Sequence, residues 1–165
     1  MFDGWAPWGG PMMRRPTGAI VAPYQVDARL CVSYLTIELD GAIPEALRPL
    51  IGNRIYGCDD CQLACPWNKY AQRSALPDFD ERAGITGQQL VTLFRWTEAD
   101  FLHHTEGSAI RRIGHARWQR NLAVALGNAL RKADDAAIRQ ALAAQRERAG
   151  ELVREHIDWA LAQGA

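Results

Sequence analysis

The sequence predicts an α+β fold that is mostly α-helical, with a cysteine-bearing module leading into a helical tail. Three observations carry this. Three of the four cysteines fall within Gly57–Trp67, spaced C-x2-C-x3-C-P, and Cys31 lies twenty-seven residues before Cys58. A turn at Pro16-Thr17-Gly18 leads into the short apolar run Ala19-Ile20-Val21, the one place where an extended segment is indicated. The second half is dominated by helix-start signatures and by Ala-, Leu- and Arg-rich stretches of helical period.

Residues 1–15 hold three Gly, two Pro and two Trp with no periodicity, and read as a disordered leader unable to bury a core. The ordered module is expected over 16–83. Asp27 is placed to cap a helix carrying Leu30, Cys31, Tyr34, Leu35 and Ile37. Pro44-Glu45 opens another short helix to about Leu50. The cysteine run follows Gly57, and 68–83 is polar and irregular, predicting a loop that wraps the metal site.

The tail, 84–165, opens with two capping signatures. Thr86 with Gln89 and Thr97 with Asp100 have the capping-box spacing, and Ile85/Leu90 and Trp96/Phe101 occupy staple positions. Helices are therefore expected over 86–95 and 97–104. From Ser108 to Lys132, Trp118, Leu122, Ala125, Leu126 and Ala129 share one helical face. A further pair follows at 134–148 and 151–163, the last striped by Leu152, Val153, Ile157, Ala160 and Leu161. Helix pairs at this spacing suggest a short HEAT-like stack that must pack against the cysteine module to complete a core. Trp67, Trp96, Trp118 and Trp159 read as core anchors rather than base-stacking platforms.

Clustered thiolates are soft, charged donors, and a run ending in Cys-Pro is the pattern of bacterial iron–sulfur ligation. Zinc ribbons use two separated C-x2-C pairs and only one is present, so iron–sulfur is favoured over zinc. With no visible signal peptide, disulfides are disfavoured. Asp59 and Asp60 sit between two candidate ligands, and the plain reading is that they face solvent and cap the turn. His103 and His104 are expected to support a helix end rather than bind metal.

The 165 residues are 48% apolar and 23% charged with a formal net charge of zero, so a nucleic-acid surface would have to come from local segregation of charge. Such segregation exists. Gly107–Ala133 contains Arg111, Arg112, Arg117, Arg120, Arg131 and Lys132, joined by His115, and no acidic residue. Phosphates would suit it; the plain alternative is a solvated helix face. No apolar run approaches the roughly 20 residues of a membrane span. No Ser-His-Asp arrangement, phosphate loop or dinucleotide fingerprint is present.

Longer strings then resemble one family. Pro16–Ile20, Cys31-Val32-Ser33-Tyr34-Leu35-Thr36-Ile37-Glu38, Gly52–Asn68, Glu106–His115 and Arg120–Asn128 are similar to epoxyqueuosine reductases, closely over about 16–130 and loosely beyond. The resemblance implies a partial ferredoxin-like 4Fe-4S domain with a HEAT-like tail that holds tRNA. The implied reaction reduces epoxyqueuosine to queuosine in tRNA, using cobalamin and two [4Fe-4S] clusters. By that pattern Cys31, Cys58 and Cys61 would ligate one cluster and Cys65 the other. Ser33 and the Cys58-Asp59-Asp60-Cys61 turn would line cobalamin, while Arg111, Arg112, His115, Arg117 and Arg120 would contact tRNA.

The chain departs from the family where a C-x2-C-x2-C-x3-C-P run should precede Thr17. Met12-Met13-Arg14-Arg15-Pro16 stands there instead, with Arg15 at the last cysteine's place. The expectation is a C-terminal portion behind an unrelated leader, without the cobalamin-binding catalytic domain and its proton donor, and inactive alone. Readings from other classes are an iron–sulfur or zinc electron-transfer module and a non-catalytic tRNA-binding fragment. The chain is expected to be a cytoplasmic monomer.

Overall fold

The computed structural model describes residues 17–22, 24–77, 85 and 87–164; the predicted leader, 1–15, lies outside them. The only sheet among the described residues is a two-stranded antiparallel hairpin, β1 (Ile20–Ala22) with β2 (Gln25–Val26), where the apolar run was expected. All the remaining regular elements described are helical, so the mostly helical α+β expectation holds.

The helix expected from Asp27 is not continuous. Asp27 does cap, accepting from the Arg29 amide, but only for one 3-10 turn, Ala28–Leu30. Cys31 is extended, and the chain then winds as a π-turn over Tyr34–Glu38, closed by Leu39 N–H donating to the Tyr34 carbonyl at 2.8 Å. Such i→i+5 turns leave carbonyls poorly aligned and are common at functional sites. A 3-10 turn, Glu45–Leu47, runs into α1 (Arg48–Ile51) as expected, and α2 (Asp60–Leu63) carries the central cysteine pair's turn.

In the tail, α3 (Leu90–Phe94) is shorter than predicted: Gln89 is extended and caps without its side chain, while Thr86 lies outside the described residues. The Thr97/Asp100 capping box forms in full at α4 (Glu98–His104). A 3-10 turn, Ala109–Ile113, meets α5 (Gly114–Leu130), and α6 (Ala136–Arg146) and α7 (Glu151–Leu161) match the predicted pair, each slightly shorter than expected. The histidines His103 and His104 do close α4.

Helix α5 is buried all round from Trp118 to Asn128, not on one face as its apolar spacing suggested. It is the axis of one continuous core. Val32, Leu35, Ile43 and Ile51 from the cysteine module meet Leu93, Phe101, Leu122, Leu142 and Ile157 from the tail. Trp118 and Trp159 are buried in it and Trp96 packs against it, Trp96 and Trp118 stacking at 5.8 Å. Trp67 is the exception: it is 74% exposed and anchors nothing in the core.

Candidate functional site

The cysteine site is built by irregular backbone held from behind. Gly57 takes a left-handed φ of +70°, a conformation glycine adopts without strain, and this turns the chain into Cys58. Its amide donates to Thr36 Oγ1 at 2.9 Å, and the Cys58 amide donates to Ser33 Oγ at 3.0 Å, so the π-turn positions the first cysteine of the run. Cys31, Cys58 and Cys61 line one cavity of about 130 Å³, together with Ser33 and Asp59. Cys65 does not line it, nor does any residue of 68–77, so the described part of that loop does not wrap the site.

Asp59 is exposed and accepts from Gln62, whereas Asp60 is partly exposed and paired: Arg54 Nη2 donates to both of its oxygens at 2.9 and 2.8 Å. Partial burial pushes the Cys58 thiol above its ordinary value, and the nearby Arg54 guanidinium opposes this in part. Among the described residues no three His, Cys, Asp or Glu side chains converge on the position of a single metal ion. Three thiols around a shared space are soft donors of the kind that hold iron–sulfur clusters or zinc. The cavity is far below the roughly 300–1,000 Å³ of an enclosed organic-ligand site, so the described residues around it do not enclose a large cofactor.

The basic stretch divides under the geometry. Arg120 is fully buried, and its five N–H groups are all spent: on the carbonyls of Leu35, Leu39 and Gly41 and, twice, on Asn121 Oδ1, at 2.7–3.1 Å. Burial lowers its pKa to about 10. The expectation that it contacts phosphate is therefore corrected: it satisfies one carbonyl of the π-turn, that of Leu35, and two just beyond its end, those of Leu39 and Gly41. Arg117 is half-buried and donates to the carbonyls of Ile113, Ile37 and Arg112. His115 Nε2 is directed at the Trp96 carbonyl, 2.9 Å away. Arg112 is exposed and pairs with Glu38 at 2.5 Å. Arg111 is exposed and makes no ion pair among the described residues.

Residues not anticipated as part of the site extend the same support. Asn121 Nδ2 bridges the carbonyls of Thr36 and Ile55, and Asn128 Nδ2 those of Arg48 and Gly52, at 2.8–2.9 Å. The available signal was polar residues seven apart inside a stretch otherwise apolar enough to be buried.

Comparison with known proteins agrees with this arrangement. Residues 14–68 match the 4Fe-4S double cluster binding domain. The epoxyqueuosine reductase of Alicycliphilus denitrificans is 69% identical over 153 residues, and that of Escherichia coli 63% over 150, each covering 90% of this chain. Over most of its length this chain is therefore similar to one part of the epoxyqueuosine reductases. It spans 42% and 38% of those two relatives' lengths. Among solved structures, an epoxyqueuosine reductase with a tRNA-Tyr epoxyqueuosine-modified tRNA stem loop superposes with a TM-score of 0.79 at 31% identity, covering 89% of this chain and 38% of that one. The Streptococcus thermophilus enzyme gives 0.76 at 25% identity, covering 91% of this chain and 38% of that one. Among the described residues no helix is long and apolar enough to cross a membrane.

Proposed function

We propose that this chain is the cluster-bearing and tRNA-holding part of an epoxyqueuosine reductase, acting in the cytoplasm as a monomer in the conversion of epoxyqueuosine to queuosine. The observation that carries it is the shared cavity of Cys31, Cys58 and Cys61, set by the π-turn within a chain 60–69% identical to such enzymes over most of its length. A cluster held there would supply single electrons. Cys65 would ligate a second cluster, Ser33 and the Cys58–Cys61 turn with Asp59 would line cobalamin, and Asp60 steadies that turn through Arg54. Two-sided enclosure of cobalamin needs more protein than this cavity provides, so the chain alone does not reduce the epoxide.

On the tail, Arg111 and Arg112 are the exposed ones among the five residues expected to contact tRNA. Each neutralised phosphate releases counterions, which makes affinity fall with salt. Titrating the 165-residue chain with a tRNA stem loop over a salt series tests this. Arg111→Ala with Arg112→Ala should weaken binding and flatten the slope of log affinity against log salt by roughly 1–2. Arg120→Ala should instead lower the melting temperature, because it leaves buried carbonyls unpaired. Binding by the Arg111/Arg112 double variant equal to the parent at every salt concentration would overturn the assignment of these two arginines.

A further inference from the structure

The segment immediately after Cys65 is the part of the molecule that neither the core nor the cysteine cavity uses. Every residue from Pro66 to Pro77 is exposed. A 3-10 turn over Pro66–Tyr70 places Trp67 and Tyr70 three residues apart, where side chains eclipse on one face. Trp67 is 74% and Tyr70 64% exposed. Their centroids are 5.7 Å apart with planes at 42°, so the rings touch without stacking and the indole keeps a face open. Lys69 Nζ lies 4.9 Å over the Tyr70 ring.

Two large aromatics exposed side by side form an apolar patch of the kind found at binding surfaces. Charge selects the partner. From Cys61 to Pro77 there is no acidic residue, and Lys69 stands between the two aromatics in sequence. An aromatic ledge with a cation set into it suits a nucleic acid, whose unpaired bases stack on π-faces while its backbone meets the cation.

We infer that Trp67, supported by Tyr70 and Lys69, is a stacking platform for an unpaired nucleobase of an RNA loop. This rests on the proposal that the chain binds tRNA and adds to it the group that holds a splayed base.

The test uses the full chain with two RNAs, a stem loop and a fully paired duplex of the same stem, in fluorescence anisotropy over a salt series. Trp67→Ala should weaken stem-loop binding by roughly 5- to 150-fold, the range for losing one stacked base, with an unchanged salt slope. Trp67→Phe should retain most of the affinity, and duplex binding should change with neither variant. Circular dichroism checks that both fold, which the exposure of Trp67 favours. Stem-loop binding by Trp67→Ala equal to the parent overturns the platform alone, if Arg111→Ala with Arg112→Ala still flattens the salt slope. Equal losses on both RNAs also overturn it, as does a parent dimer that Trp67→Ala dissociates without loss of RNA binding, which would make the ledge a protein interface. A parent that binds neither RNA overturns the platform and the tRNA reading together.

Discussion

His156 shows how much a single side chain carries between the two halves. It is fully buried in α7, with Nδ1 donating to the Leu152 carbonyl at 2.7 Å and Nε2 accepting from the Ile43 amide at 3.1 Å. Ile43 belongs to the cysteine module, so the ring joins that module to the last helix. Burial pushes its pKa down to about 4, with the Arg48 cation nearby acting in the same direction. Between pH 6.5 and about 4 the unfolded chain binds this proton and the folded one does not. Stability should therefore be flat above pH 6.5 and fall by roughly 3 kcal/mol across that window as pH drops. Urea midpoints measured from pH 7 to 4 check this. His156→Gln, which keeps an acceptor without a proton to gain, should remove that part of the slope; an unchanged slope would assign it to the carboxylates.

At the scale of elements, the close approach of α5 and α7 decides the tail's architecture. It happens at Gly127. A Cβ there would lie 2.6 Å from the Trp159 ring and 2.9 Å from both Cα and Cβ of Ala160, so helix backbone, not a flexible side-chain end, blocks it. Gly127→Ala would gain about 1 kcal/mol of helix propensity. Overpacking of this kind costs about 1–3 kcal/mol, and because α7 backbone must move the upper end is expected. The melting temperature should fall by several degrees, about 2–4 °C per kcal/mol for a domain of this size. A rise would mean that α7 sits farther from α5. The helices themselves were readable: the α4 capping box and the α6 and α7 stripes follow from local spacing. The start of α3 was not, because extended backbone at Gln89 overrides the Thr86/Gln89 spacing. The broken helix after Asp27 was hidden for a similar reason, since apolar residues at helical intervals also suit a 3-10 turn followed by a π-turn.

For the whole molecule, one core runs through both halves, and four cysteines are the entire thiolate supply. Two [4Fe-4S] clusters held by cysteine alone require about eight thiolates. Anaerobic reconstitution followed by iron and sulfide analysis should give no more than about four irons per chain, the content of one such cluster. About eight would show that ligands other than these cysteines complete a second cluster.

Sequence by itself determined the chemistry-bearing spacing and the kinship. The C-x2-C-x3-C-P run, the separate Cys31 and the long strings from Gly52 and Glu106 were legible because ligand spacing and family pattern are written along the chain. What it left open was the fate of each polar or aromatic side chain. Arg111 and Arg120 look alike in sequence, yet one is exposed and the other is enclosed, because residues about 80 positions earlier present carbonyls to it. Trp67 and Trp118 look alike as well, and only the path of the backbone after Cys65 places the first in solvent. Local sequence encodes propensity and spacing. Burial and partner choice depend on contacts between distant segments, and those exist only once the chain has folded around α5.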